Sequence, residues 1–128
     1  MNNIFFDHVH IISQNPEESA EWFVEMLGGK RGETVEIQGA PQIYISFDGA
    51  KIIIRGQRNG ETALDKARVE WGTDHFAFQV KSNFHEYCEG LQSKGVKFTL
   101  NPTQFNPSTL IAFIEAPDGV SIELLQRK

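Results

Sequence analysis

Asp7-His8-Val9-His10-Ile11-Ile12 and Asp74-His75-Phe76-Ala77-Phe78-Gln79-Val80 are two versions of one phrase, an Asp-His pair running into a β-rich stretch. A repeat of this kind decides the architecture before any single element does. Each version is followed by an amphipathic helix pattern. Asn15-Pro16-Glu17-Glu18 opens the first helix: Asn caps it, Pro suits the first helical position, and acidic residues favour the positive helix end. Ala20, Phe23, Val24 and Leu27 recur at helical spacing, and Gly28-Gly29 stops the run. The second helix is predicted to begin near Asn83, with Glu86 three residues on in the capping-box position. Phe84, Tyr87, Cys88 and Leu91 form its apolar stripe, His85 lies off that stripe, and Gly95 closes it. Such stripes are most simply core, so Cys88 reads as a buried, inert thiol.

Each half then reads as strands around a matched turn. Ile43–Phe47 and Ala50–Arg55 flank Asp48-Gly49; Leu110–Glu115 and Val120–Leu125 flank Asp118-Gly119. Asp-Gly between β-rich runs is a strong hairpin signal. His8 and His75 are 67 positions apart and the turn aspartates 70, so one small loop insertion separates the two halves. Superposing the turns sets Ile53 opposite Glu123. The chain therefore reads as α+β, with β-α-β-β-β twice: residues 4–56 and 73–127, joined by a polar linker over 57–72. Asn101–Ser108, rich in turn formers, is expected to be a loop. Neither half is expected to bury its sheet alone. Together they predict one domain, 1–128, with a cupped, partly open mixed β-sheet and helices outside.

Composition narrows the function. At 128 residues and 40% hydrophobic the chain suits one compact domain. A net charge of −5 makes general nucleic-acid binding a poor fit, because that rests on phosphate neutralisation. No apolar run approaches the ~20 residues of a membrane span, and no secretion signal is visible. A single cysteine excludes an internal disulfide framework and fits a reducing cytoplasm.

Four segments carry a specific resemblance: Asp7-His8-Val9-His10-Ile11, Glu21-Trp22-Phe23-Val24-Glu25-Met26-Leu27-Gly28, Asp74-His75-Phe76-Ala77-Phe78, and Ala116-Pro117-Asp118-Gly119-Val120-Ser121-Ile122-Glu123-Leu124. Together they resemble the vicinal oxygen chelate superfamily of glyoxalases, bleomycin-resistance proteins and extradiol dioxygenases, over nearly the whole chain. The resemblance implies paired βαβββ units around a divalent metal, with ligands on the first and last strand of each unit. Mapped residue by residue, those slots hold His8, Ile53, His75 and Glu123. Three are metal ligands; Ile53 can neither bind a metal nor move a proton.

Two imidazoles and a carboxylate can occupy one face of an octahedral ion and leave positions open for substrate. Fe(II) is the first expectation for the cofactor, with Zn, Ni, Mn or Co as alternatives. The plain alternative is that His8 and His75 are ordinary strand histidines and that Glu123 faces solvent. His10, two residues along the same strand, shares a face with His8. It is a candidate proton-transferring group, or else a pocket wall without a chemical role. Glu123 is the other candidate base. Lys51 and Arg55 share a strand face with Ile53 and are candidate contacts for an anionic substrate, as Tyr44 and Gln42 are for the cup lining.

The expected function is a metal-dependent enzyme that chelates vicinal oxygens of a small substrate. A non-haem iron dioxygenase-like reaction leads, since extradiol dioxygenases also use His, His and Glu in these slots. A glyoxalase I- or epimerase-like lyase or isomerase is the alternative. A metal-free, bleomycin-resistance-like binding protein is the third reading, and the intact ligand set argues against it. The expected partners are a small molecule and a second copy of the chain in a two-fold homodimer, with neither nucleic acid nor membrane.

Overall fold

A computed structural model describes residues 3, 6–61 and 72–128. Ile4, the expected start of the first repeat, and the linker positions 62–71 lie outside the described residues. The chain divides into two compact units, residues 1–64 and 65–128.

Unit 1 runs β1 (His8–Ser13), α1 (Pro16–Leu27), β2 (Lys30–Ile37), β3 (Ala40–Phe47) and β4 (Ala50–Gly56). Its strands are ordered β1-β4-β3-β2, with β1 parallel to β4 and the other neighbours antiparallel. Unit 2 runs β5 (Phe76–Gln79), α2 (Phe84–Ser93), β6 (Phe98–Asn106), β7 (Thr109–Glu115) and β8 (Ser121–Arg127). Its order, β5-β8-β7-β6, repeats the first, again with the first strand parallel to the last. The βαβββ repeat read from the two Asp-His phrases is therefore the architecture of both units.

In unit 1, Ile52 and Ile54 of β4 partner Ile45 and Ile43 of β3, and Ile54 partners Ile11 of β1. These isoleucines are buried, and α1 packs over β3 and β4 with Ala20 and Phe23 fully buried. Burying each large side chain contributes roughly 1.5–3 kcal/mol. Asn15 caps α1 as expected, its side-chain oxygen accepting from the Glu18 N–H at 3.2 Å. Gly28 ends the helix in the left-handed conformation, φ 75°. At Gly29 a Cβ would stand 2.5 Å from Ile45 Cγ2 and 2.8 Å from Phe47 Cζ. Only glycine lets the chain pass so close to the sheet.

Alternation puts the other residues of β4 on the opposite face. Lys51, Ile53 and Arg55 partner His8, His10 and Ile12 on β1. In unit 2 the same alternation separates buried Ile122 and Leu124 from Glu123, whose partners are Ala77 and Phe113. Helix α2 buries Phe84, Cys88 and Leu91, and His85 is exposed.

Two local expectations need correction. Asn83 sits at φ 57° with no side-chain bond to the helix. The capping box is thus not formed, because the left-handed backbone removes the extended geometry that an N-cap side chain needs. The expected loop at 101–108 is mostly β6, with a two-residue turn at Pro107-Ser108. Pro102 lacks an N–H for the ladder. The strand absorbs it through register shifts before it, between Phe98 and Leu100, across it, between Leu100 and Thr103, and after it, between Gln104 and Asn106. Among the described residues, no helix is long and apolar enough to cross a membrane.

Candidate metal centre

In unit 2, His75 stands one residue before β5, and Glu123 sits in the middle of β8. The parallel register pairs Ala77 with Glu123, so Glu123 lies on the neighbouring strand on the face that His75 shares. His75 Nε2 is 3.2 Å from Glu123 Oε1. Its other nitrogen, Nδ1, is 2.7 Å from Asp74 Oδ2. Phe113, the β7 partner of Glu123, packs edge-on against the His75 ring, with centroids 4.9 Å apart. The two side chains stay reachable from solvent, at 31% exposed for His75 and 19% for Glu123. The Asp74 carboxylate, opposed by burial and then helped by Glu123, holds the imidazole above its ordinary pKa.

Unit 1 repeats half of this arrangement. His8 Nδ1 is 2.7 Å from Asp7 Oδ2. A carboxylate only accepts, so in the neutral ring Nδ1 carries the proton and Nε2 keeps its lone pair. The second oxygen of Asp7 lies 3.6 Å from Lys51 Nζ, the strand partner of His8. Ile53 takes the place on β4 that Glu123 takes on β8, and it is 5% exposed. It shares its face with His10, its Cα partner on β1, and with Tyr44, its Cα partner on β3. His10 lies edge-on to His8, centroids 5.9 Å apart. Partial burial, followed by the positive charges of Arg55, His8 and Arg58, holds His10 below its ordinary pKa.

The two candidate anion contacts are both engaged within the chain. Lys51 faces Asp7, and Arg55, with a side chain 9% exposed, is gripped by both carboxylate oxygens of Glu61 at 2.8 and 2.5 Å. Glu61 also accepts from the Arg58 N–H at 2.6 Å, and these donors drive its pKa down to about 2. Tyr44 joins Gln42, whose amide donates to its hydroxyl at 3.4 Å and accepts from Arg58 at 3.2 Å. Within either unit, among the described residues, no three His, Cys, Asp or Glu side chains already form a metal cage.

Four contributors were not singled out as site residues by the sequence reading. Phe113 was within reach of it, since β7–β8 register makes it the counterpart of Tyr44. Asp7 and Asp74 stand in the repeated phrase itself, but adjacency alone does not say which ring nitrogen they hold. Glu61, in a polar stretch six residues after Arg55, carries no signal.

The family model of the Glyoxalase/Bleomycin resistance protein/Dioxygenase superfamily matches residues 5–124. The chain belongs to this superfamily. A probable lactoylglutathione lyase from Synechocystis sp. is 33% identical over 79 residues, 54% of this chain and 60% of that protein. The matched segment is thus short of two thirds of the relative. Among solved structures, a glyoxalase family protein from Bacillus cereus superposes with a TM-score of 0.80 at 19% identity, covering 98% of this chain and 96% of that one. A glyoxylase/bleomycin resistance protein/dioxygenase domain from Frankia sp. gives 0.78 at 23%, covering 94% and 95%. A glyoxalase I variant from Zea mays gives 0.76 at 24%, covering 94% of this chain and 43% of that one. At these identities the likeness is one of fold.

The donor chemistry of this superfamily member suits a divalent ion. Two donors about 2.1 Å from one ion and at right angles stand about 3 Å apart. The 3.2 Å between His75 Nε2 and Glu123 Oε1 is close to that spacing.

Proposed function

We propose that the chain is a metal-dependent enzyme that holds one divalent ion through His8, His75 and Glu123 and acts on a small substrate bearing two neighbouring oxygens. The observation that carries this reading is the His75–Glu123 approach at 3.2 Å, with Asp74 on the far nitrogen of the same ring. The three ligands come from both units. One ion can therefore draw on the two units of one chain, or on one unit from each chain of a two-fold homodimer. Fe(II), Zn, Ni, Mn and Co all accept this donor set.

A bound divalent ion supplies Lewis-acid stabilisation for negative charge that develops on substrate oxygen. The proposed reaction is proton transfer at a carbon beside a carbonyl, as in a glyoxalase-like lyase or isomerase. His10, on the same strand face as His8, takes the proton from that carbon at a ring nitrogen and returns it to the neighbouring position. Glu123 is the alternative base. Ile53 provides an apolar wall for substrate carbon, and Tyr44 offers a hydroxyl beside it. The likeness to a probable lactoylglutathione lyase supports this class. Turnover of the methylglyoxal–glutathione hemithioacetal itself is expected to be weak, because the fourth ligand slot holds Ile53.

The dioxygenase-like reading, first from the sequence alone, stands second. Ile53 favours it, since a three-ligand set keeps more positions open. One experiment separates the two. Protein loaded with Zn²⁺, Ni²⁺ or Fe²⁺ is incubated in D₂O with α-hydroxy-carbonyl compounds, and separately with catechols in an oxygen electrode. Metal-dependent deuterium incorporation at the α-carbon, reduced about 10²-fold or more in His10→Gln, supports proton transfer. Oxygen uptake with iron alone replaces it with the dioxygenase reading, and inactivity in both assays counts against the proposed function.

A further inference from the structure

The two Asp-His phrases are alike in geometry as well as in sequence. Asp7 Oδ2 and Asp74 Oδ2 each stand 2.7 Å from the Nδ1 of the histidine that follows. The contact is made by adjacent residues at the entry to the first strand of each unit, so the unit's own backbone sets it. A metal-binding imidazole needs the lone pair on one nitrogen and the proton on the other, and the partner of the second nitrogen decides which is which. We infer that Asp7 and Asp74 are positioning residues that lock His8 and His75 in the Nδ1–H form and leave each Nε2 bare for the ion. This rests on the metal site proposed above.

His75 is the sharper case. Its ring lies between two carboxylates, and a neutral imidazole has one proton for both. The Asp74 contact is shorter by half an ångström than the Glu123 contact, 2.7 against 3.2 Å. When the ring is neutral the proton therefore stays on the Asp74 side, and Nε2 and Glu123 Oε1 then present two acceptor atoms to the same space. Two lone pairs facing each other repel until a cation enters, so the aspartate also raises the preference of that space for positive charge. At His8 the Asp7 carboxylate is shared with Lys51, which approaches its other oxygen at 3.6 Å. The hold on His8 is accordingly weaker than the hold on His75.

The test uses the full chain, metal-free, above the titration range of its histidines. Long-range ¹H–¹⁵N spectra report which ring nitrogen carries the proton. Wild-type His8 and His75 are expected as Nδ1–H, Asp74→Ala should move His75 to Nε2–H, and Asp74→Asn should retain Nδ1–H because its amide oxygen still accepts. Zn²⁺ affinity, measured against a competing chelator, should fall about 10–100-fold in Asp74→Ala, less in Asp7→Ala, and less again in Asp74→Asn. Glu89→Ala removes one negative charge from an exposed position on α2 and controls for net charge. Nε2–H at His75 in the wild type, or an Asp74→Ala loss no larger than that of Glu89→Ala, overturns the inference. Wild-type protein that takes up no Zn²⁺ overturns the function proposed above instead, while the spectra still decide the role of the aspartates.

Discussion

His75 Nε2 stands 3.2 Å from Glu123 Oε1 although the two residues are 48 positions apart in the chain. The parallel register of β5 and β8 makes this approach, pairing Ala77 with Glu123 and so bringing Glu123 to the face that His75 shares. A slip of one residue would turn Glu123 to the buried side, where Ile122 and Leu124 now sit. In unit 1 the equivalent register delivers Ile53 to the matching place.

Ile53→Glu should therefore create a conditional site. At 5% exposure an unpaired carboxylate costs several kcal/mol, so the metal-free variant should melt well below the wild type. Added Zn²⁺ should recover more stability in the variant than in the wild type, because a ligand that binds only the folded state stabilises it by mass action. Zn²⁺ affinity should rise on the order of tenfold, about 1.4 kcal/mol. Thermal melts with and without metal check this, and equal metal-induced shifts in the two proteins would count against Ile53 standing beside the ion.

Gly29→Ala tests the packing of α1 against its sheet. The new methyl would meet Ile45 Cγ2 at 2.5 Å and Phe47 Cζ at 2.8 Å. Overpacking of this kind costs about 1–3 kcal/mol. Gly28→Ala should also destabilise, but through the left-handed backbone at φ 75° rather than through a clash, since its Cβ meets nothing within 4 Å. Urea denaturation should show a lowered midpoint for Gly29→Ala, and the loss should be smaller when it is measured in an Ile45→Ala background, which removes the Cγ2 methyl. A Gly29→Ala midpoint equal to the wild type would refute the close approach.

How far the sequence could be read follows from what each feature depends on. The repeat, the helix stripes and the Ile53–Glu123 equivalence depend on periodicity and turn spacing, which the residues carry locally. The Asn83 cap depends on a backbone angle, and a capping-box pattern cannot show that Asn83 adopts φ 57°. β6 was hidden because Pro102 and the surrounding Asn and Ser residues mark turns, whereas strand register shifts accommodated the proline. The Arg55–Glu61 pair depends on the path of the chain after β4, so Arg55 reads from sequence as available to a substrate when its charge is already met.

That pair predicts an acid-sensitive increment of stability. Glu61 has its pKa driven down to about 2 from 4.5, chiefly by Arg55 and then by the Arg58 N–H. A carboxyl whose folded pKa is depressed contributes stability that is complete above its unfolded value and lost as pH falls through the folded one. The increment should fade between about pH 4.5 and pH 2. Glu61→Gln should be less stable than the wild type at pH 7, and the gap should narrow over that interval. A gap that stays constant with pH would contradict the assignment.

Cys88 is fully buried on α2, and burial pushes its thiol up to about 11. The thiolate is the reactive form. A thiol reagent such as Ellman's should leave the native protein unlabelled at pH 8 and react with one thiol per chain in denaturant. Prompt labelling of the native protein would contradict the burial of this stripe.

The central claim is one divalent ion held by His8, His75 and Glu123. Elemental analysis of protein loaded with Zn²⁺ and then desalted tests it most directly, with His8→Ala, His75→Ala and Glu123→Gln treated in parallel and their folding verified by circular dichroism. The account predicts one ion per chain in the wild type and a loss of most of it in each folded variant. A wild type without stoichiometric metal, or three folded variants that retain it in full, would contradict the account.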